Sequence, residues 1–183
     1  MGVAGMSNPS VAAYGSISSL DENLAAQIVD VLVAAIAARG EASLVVSGGS
    51  SPIGFFQCLS RFDIAWQRVS IWLADERWVG AQDAQSNEKL VHTHLLQNFA
   101  AKARFMPLAG EHFSSGASAE QAALGLQQTH QHQSAFDLVI LGMGLDAHTA
   151  SLFPGISELV TGLDAASDSH FIATQSPAAP HQR

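Results

Sequence analysis

The sequence predicts an α/β fold, with a mainly parallel sheet carrying helices on both faces. Three observations point there. Short apolar runs rich in Val, Ile and Leu at 43–47, 69–74 and 136–142 alternate with longer segments of helical period. Each of these runs empties into a polar or glycine-rich loop, the arrangement expected at the carboxyl edge of a parallel sheet. With 183 residues, 48% hydrophobic and only 13% charged, the chain has enough apolar material for one core and none of the composition of a disordered segment.

Residues 1–10 are expected to form a flexible lead and 11–183 a single domain, with 11–17 a weak first strand. From 19 to 40 a helix is expected. Ser19 and Glu22 have capping-box spacing, Leu24, Ile28, Val31, Leu32, Ala35 and Ile36 share one stripe, and Gly40 suits the stop. "SLVVS" at 43–47 reads as a strand, then "SGGSSP" as a loop, with Ser51 as N-cap and Pro52 in the first position of the next helix. "VSIWLA" at 69–74 is a second strand, and Ser86 caps a helix starting "NEKLVHTH". "ARFMPL" suits an edge strand, and Ser118 with Gln121 a further capping box. The continuous hydrophobicity of "FDLVILG" predicts a central strand, and "HFIATQ" at 170–175 a later one.

Composition also limits function. Eight Lys and Arg against 16 Asp and Glu give a formal charge of −8, which disfavours nucleic acid and anionic membrane as partners. An anionic small molecule needs only a few local donors and stays open. Cys58 is the only cysteine, so no internal disulfide forms and a reducing cytoplasm is the expected location. It reads as a small core residue. The N-terminus lacks the basic and long apolar regions of a signal peptide, and Met6 breaks the myristoylation pattern. "IVDVLVAAIAA" contains Asp30 and is too short to span a bilayer.

Three loops carry the chemistry. In "SGGSSP", between strand and helix, the N–H groups of Gly48, Gly49, Ser50 and Ser51 and the helix dipole suit a phosphate. The loop has neither the Gly-Lys-Ser/Thr ending of a P-loop nor dinucleotide GxGxxG spacing. In "DERWV", Asp75, Glu76 and Arg77 form a charged cluster after a buried strand. A solvated turn with a local ion pair is the bland alternative. Arg77 can grip an anion with two hydrogen bonds, and Asn87 can orient a sugar hydroxyl or simply cap a helix. In "GMGLDAHTASLFPG", His148 can take a proton from water and Asp146 can hold its tautomer. His92/His94 and His130/His132 are i,i+2 pairs on expected helices; they point to different faces and do not form a metal site.

Taken together, "SGGSSP", "DERWV" followed by "SN", and "GMGLDAHTASLFPG" resemble, in order and spacing, the signature segments of the 6-phosphogluconolactonase family, over most of residues 11–183. The resemblance implies a doubly wound α/β fold shared with glucosamine-6-phosphate deaminase and ribose-5-phosphate isomerase. It implies hydrolysis of 6-phospho-D-glucono-1,5-lactone to 6-phosphogluconate in the pentose phosphate pathway, with no metal or organic cofactor. It maps the general base onto His148, with Asp146 or a backbone carbonyl orienting it. The same resemblance maps the substrate-binding loop onto Gly48, Gly49, Ser50 and Ser51, the polar cluster facing it onto Asp75 and Arg77, and an anion-binding candidate onto Arg183; Asn87 and Gly144 complete the expected substrate-binding residues.

Three departures stand out. Ser51 replaces a usual Thr, Ala147 stands where Gly is usual, and the chain stops at "SPAAPHQR" where family members continue, so a C-terminally truncated sheet is expected. Two rivals remain. An amino-sugar-phosphate deaminase or isomerase would carry an acid after the histidine, where this sequence has Thr149-Ala150-Ser151-Leu152-Phe153-Pro154. A non-catalytic sugar-phosphate-binding protein would keep the loops without turnover.

Overall fold

The computed structural model describes residues 10–131 and 135–183, so nearly all of the expected lead, and His132, lie outside the described residues. Helix α1 (Ile17–Arg39) starts earlier than its expected cap. The Ser16 hydroxyl accepts from the Ser19 N–H, and Glu22 instead bonds the Ser18 hydroxyl. The strand expected at 11–17 is absent, because its last residue already belongs to α1 and residues 11–14 have no strand partner. Gly40 closes α1 with φ 82°, its N–H bonded to the Ile36 carbonyl.

The remaining elements follow as β1 (Ala42–Val46), α2 (Ile53–Leu59), β2 (Val69–Leu73), α3 (Asn87–His94), β3 (Arg104–Met106), α4 (Gly110–Ser114), α5 (Ala119–Thr129), β4 (Leu138–Val139) and α6 (Leu159–Leu163). Helix α2 starts without the expected side-chain cap: Pro52, already helical, precedes it, and the Ser50 carbonyl accepts from Ile53. Ser86 caps α3 through the Lys89 N–H, and Ser118 with Gln121 completes a capping box on α5, both as the spacing predicts.

All strand pairs are parallel, in the order β3-β2-β1-β4. The chain therefore lays down β1, moves outward through β2 to the edge strand β3, and returns to the other side of β1 with β4. That reversal makes the fold doubly wound and opens a crevice between the loops after β1 and β4.

Alternation along the strands separates two faces. Ala42, Leu44 and Val46 of β1 and Val69, Ile71 and Leu73 of β2 pack with Ile28 and Leu32 of α1 and Phe56 and Leu59 of α2. Val45 and Trp72 face the other way, toward Leu126 of α5, across a cavity of about 540 Å³ that Phe136, Val139, Leu141, Phe171 and Ile172 also line.

That second face corrects two expectations. Strand β4 is only two residues long and pairs on one side, with β1, so the central position expected for it is not seen in this chain, and Val139 is 46% exposed. Its unbroken hydrophobicity has another cause. Leu138 and Ile140 pack on the α1 side while Val139 and Leu141 line the cavity, so both faces need apolar residues although only one edge is paired. Residues 170–175 form no strand, because they pair with no sheet edge. Thr174 exchanges two backbone hydrogen bonds with Arg183 instead.

Cys58 packs half-buried against the core, and burial, then the Asp21 and Glu22 carboxylates, push its thiol pKa up. Such a thiol is a packing group rather than a nucleophile. Among the described residues no helix is long and apolar enough to cross a membrane.

Candidate active site

Since β2, β1 and β4 are parallel neighbours, the loops that follow them leave the same edge of the sheet. Ser47, just past β1, ties two of these loops together. Its hydroxyl donates to the Ile140 carbonyl and accepts from the Gly142 N–H, so the third loop is anchored where β4 leaves the sheet. From there residues 142–149 fold back on themselves: Gly144 donates to the His148 carbonyl, Ala147 to the Gly144 carbonyl, and the Thr149 hydroxyl to the Gly142 carbonyl.

This turn brings His148 Nδ1 to 2.5 Å from Asp146 Oδ1. The hydrogen bond from His148 is the main cause holding the Asp146 carboxyl below its usual pKa, so Asp146 is an ionised acceptor at neutral pH. Nδ1 therefore carries the proton, and in the neutral ring Nε2 keeps its lone pair. Gly144 makes room for this pair. A Cβ there would lie 2.3 Å from the His148 ring, and the Gly144 N–H is already committed to His148.

Ala147 adopts φ 68°, the left-handed region, so the departure from glycine at this position carries strain. About 1–2 kcal/mol of that strain is offset partly by glycine's extra freedom in the unfolded chain. Ala147→Gly is accordingly expected to stabilise the fold by about 0.5–1 kcal/mol, read as a higher urea midpoint. An unchanged or lower midpoint would count against it.

The second loop is built around two buried carboxylates. Glu76, only 7% exposed, accepts four hydrogen bonds, from the N–H groups of Arg77, Asn87 and Glu88 and from the Ser86 hydroxyl. It thereby clamps the loop onto the start of α3, where a negative charge is favoured. The solvated-turn alternative does not hold for Glu76. Burial, then Glu76, pushes the neighbouring Glu88 pKa up.

Asp75 is engaged on both oxygens. Oδ1 accepts from Asn87 Nδ2 at 3.0 Å, while Oδ2 accepts from the Ser151 hydroxyl at 2.5 Å and from Arg183 Nη1 at 3.3 Å. Asn87, 1% exposed, also donates to the Asp75 carbonyl. It lies so close to the first loop that a Cβ on Gly48 would fall 1.8 Å from its side-chain oxygen. Asp75 and Asn87 thus join the first and second loops, and Ser151 and Arg183 join the second to the third.

Gly49, Ser50 and Ser51 stand exposed beyond this frame, with Gly49 at φ 89°. Arg77 donates through Nη1 to the Gln85 carbonyl, and the buried Nε atoms of both Arg77 and Arg183 meet no acceptor among the described residues. Burial, then the charge of Arg77, lowers the Arg183 pKa, opposed by Asp75. The segment carrying Arg183 is docked on the second loop through the Trp78 N–H, which donates to the Gln182 carbonyl.

The 540 Å³ cavity behind the sheet touches Asp75, Ser151 and Arg183 but neither His148 nor residues 48–51. Its walls are largely Val, Leu, Trp, Phe and Ala, and it is the incompletely filled second face of the sheet rather than the crevice of the three loops. Among the described residues no three His, Cys, Asp or Glu side chains are placed to share a metal ion.

The sequence signals point to His148, Asp146, Asp75, Asn87, Gly48 and Arg183, which the structure joins in one connected cluster, the Phe153 ring touching both the His148 imidazole and the Arg183 guanidinium. They passed over Ser47, Ser151 and Phe153, and left Glu76 without a role. Ser151 and Phe153 lie in the third segment itself, within five residues of His148. Ser47 carried only the weak signal of a hydroxyl at a strand's end.

Residues 16–183 match the sequence model of the glucosamine-6-phosphate isomerases/6-phosphogluconolactonase family. The chain is 42% identical over 171 residues to a 6-phosphogluconolactonase of Pseudomonas aeruginosa, covering 93% of this chain and 70% of that protein. It is 47% identical over 148 residues to a 6-phosphogluconolactonase of Rhizobium meliloti, covering 80% of this chain and 62% of the relative. A crystal structure of a 6-phosphogluconolactonase from Shewanella baltica superposes with a TM-score of 0.85 at 44% identity, over 92% of this chain and 70% of that one. The chain thus spans roughly two thirds of the length of such relatives. With its strand order, its three loops and these relatives in agreement, the chain belongs to the glucosamine-6-phosphate isomerase/6-phosphogluconolactonase family, on its 6-phosphogluconolactonase side.

Proposed function

We propose that the complete protein hydrolyses 6-phospho-D-glucono-1,5-lactone to 6-phosphogluconate, with His148 as general base. The observation that carries this reading is the Nδ1–Asp146 hydrogen bond, which leaves Nε2 as the nitrogen with the free lone pair. A lactone is an activated ester, so a placed water and a base suffice without a covalent nucleophile. Nε2 takes a proton from the water as its oxygen attacks C1, and the carbonyl becomes a tetrahedral oxyanion. The ring C–O bond then breaks, and the departing ring oxygen takes the proton back from the imidazolium. The product is the open acid, which ionises at neutral pH.

The other residues divide into grip and frame. Exposed N–H groups and hydroxyls of Gly49, Ser50 and Ser51 suit the phosphate or the oxyanion. Arg77 and Arg183, each with a buried Nε that meets no acceptor among the described residues, suit the phosphate, which positions C1 from a distance. Asp75, Asn87, Gly48 and Gly144 hold the frame, because their polar groups or free space are taken up by neighbouring protein. Ser151 is a partner of Asp75, not a nucleophile. A phosphorylated sugar lactone is thus the proposed substrate, and a cytoplasmic setting fits such a metabolite.

The test compares two lactones on the complete protein. Arg77→Ala is expected to lower kcat/KM for the phosphorylated lactone at least tenfold more than for an unphosphorylated one. Equal losses on the two substrates would remove Arg77 from the phosphate grip. No turnover above spontaneous opening, with the ligand still bound, would select the non-catalytic alternative.

A further inference from the structure

The hydrogen bond to Asp146 defines the His148 tautomer, but it constrains the ring along one direction only. Both partners are on the loop surface, with side chains 30% and 48% exposed, and rotation about an sp³–sp² bond is intrinsically soft. What holds the plane of the ring is a second contact. The Phe153 ring lies against His148 with centroids 4.3 Å apart and planes inclined by 27°, a stacked pair.

The intervening turn creates this pair. Ala150 takes φ 48° and Thr149 bridges to Leu152, which folds residue 153 back onto residue 148. Phe153 is itself immobilised. It is 6% exposed, packs with Ile156, Ala179 and Leu159, and has the Arg183 guanidinium 5.4 Å from its ring centroid. Arg183 in turn is held by Asp75.

We infer that Phe153 is a positioning residue for the reaction: its buried ring sets the plane of the His148 imidazole and so the direction of the Nε2 lone pair. This rests on His148 being the base. A side chain that only filled space could be replaced by another apolar one without kinetic consequence, whereas a plane-setting ring could not. Because a displacement of about 1 Å can cost roughly 10²-fold in rate, loss of the ring should act on turnover and not on binding.

The test uses Phe153→Leu, which keeps an apolar filler, and Phe153→Tyr, which keeps the ring. In the complete protein, Phe153→Leu is expected to lower kcat about 10–100-fold with KM within about twofold, and Phe153→Tyr to restore most of it. NMR of the imidazole protons, assigned through His148→Gln, should show the upfield ring-current shift of His148 lost in Phe153→Leu and kept in Phe153→Tyr. A kcat for Phe153→Leu within about twofold of the parent, or a KM rising as much as kcat falls, overturns the inference. So do imidazole signals that do not move. His148→Ala measured alongside separates the two claims. If it keeps parental kcat, the base assignment falls and the inference with it. If it loses activity while Phe153→Leu does not, only the inference falls.

Discussion

His148→Ala in the complete protein is expected to lower kcat about 10²–10⁴-fold, a barrier increase of roughly 3–5 kcal/mol. KM should change far less, because the phosphate grip lies on other loops. The imidazole must be neutral to accept the water's proton. Asp146 stays an ionised partner of the ring at neutral pH, its carboxyl held below its usual range chiefly by the His148 hydrogen bond. The assay subtracts spontaneous lactone opening. A folded His148→Ala protein with near-parental kcat above that background would eliminate His148 as the base and make Asp146 the next residue to replace.

The largest expected effect on stability belongs to Glu76, whose carboxylate is buried beneath four donors on both sides of a ten-residue loop. Glu76→Ala leaves three backbone N–H groups and a hydroxyl competing for the little water that reaches them, at about 1–3 kcal/mol for each donor left unpaired. A total loss of about 3–5 kcal/mol is expected once partial rehydration is allowed, which lowers the melting temperature by roughly 10 °C in a chain of this size. Glu76→Gln keeps an acceptor for some of these donors but turns an NH₂ toward the others, so its loss should be intermediate. A Glu76→Ala protein melting within about 2 °C of the parent would show that water replaces the clamp.

These two residues differ in how far they were legible. His148 stands in a segment whose glycines, acid and histidine already point to a base, and local hydrogen bonds within 142–149 are enough to build its geometry. Glu76 was one acid in a charged triplet, and nothing nearby distinguishes a solvated side chain from one buried under a helix start ten residues later. Helix starts show the same division. The caps at Ser86 and Ser118 bond N–H groups three residues on and were readable, whereas α1 had three serines within one turn, Ser16, Ser18 and Ser19, and Ser16 became the cap.

By itself, the sequence determined the α/β alternation, the three polar loops at strand ends and the family, and it singled out His148 and Asp146 as candidates. The alternation rests on periodicity, the loops on residue types a few positions apart, and the family on the resemblance of three motifs, none of which needs knowledge of the fold. Only the tertiary structure decided that β4 pairs with β1 over just two residues, that Asp75 is tied down by Asn87, Ser151 and Arg183, and that Phe153 stacks on His148. An apolar run is the same whether its faces are covered by strands, helices or a cavity wall. A carboxylate binds substrate or structure according to which donors reach it first, and donors as distant in sequence as residues 75 and 183 are chosen by packing alone.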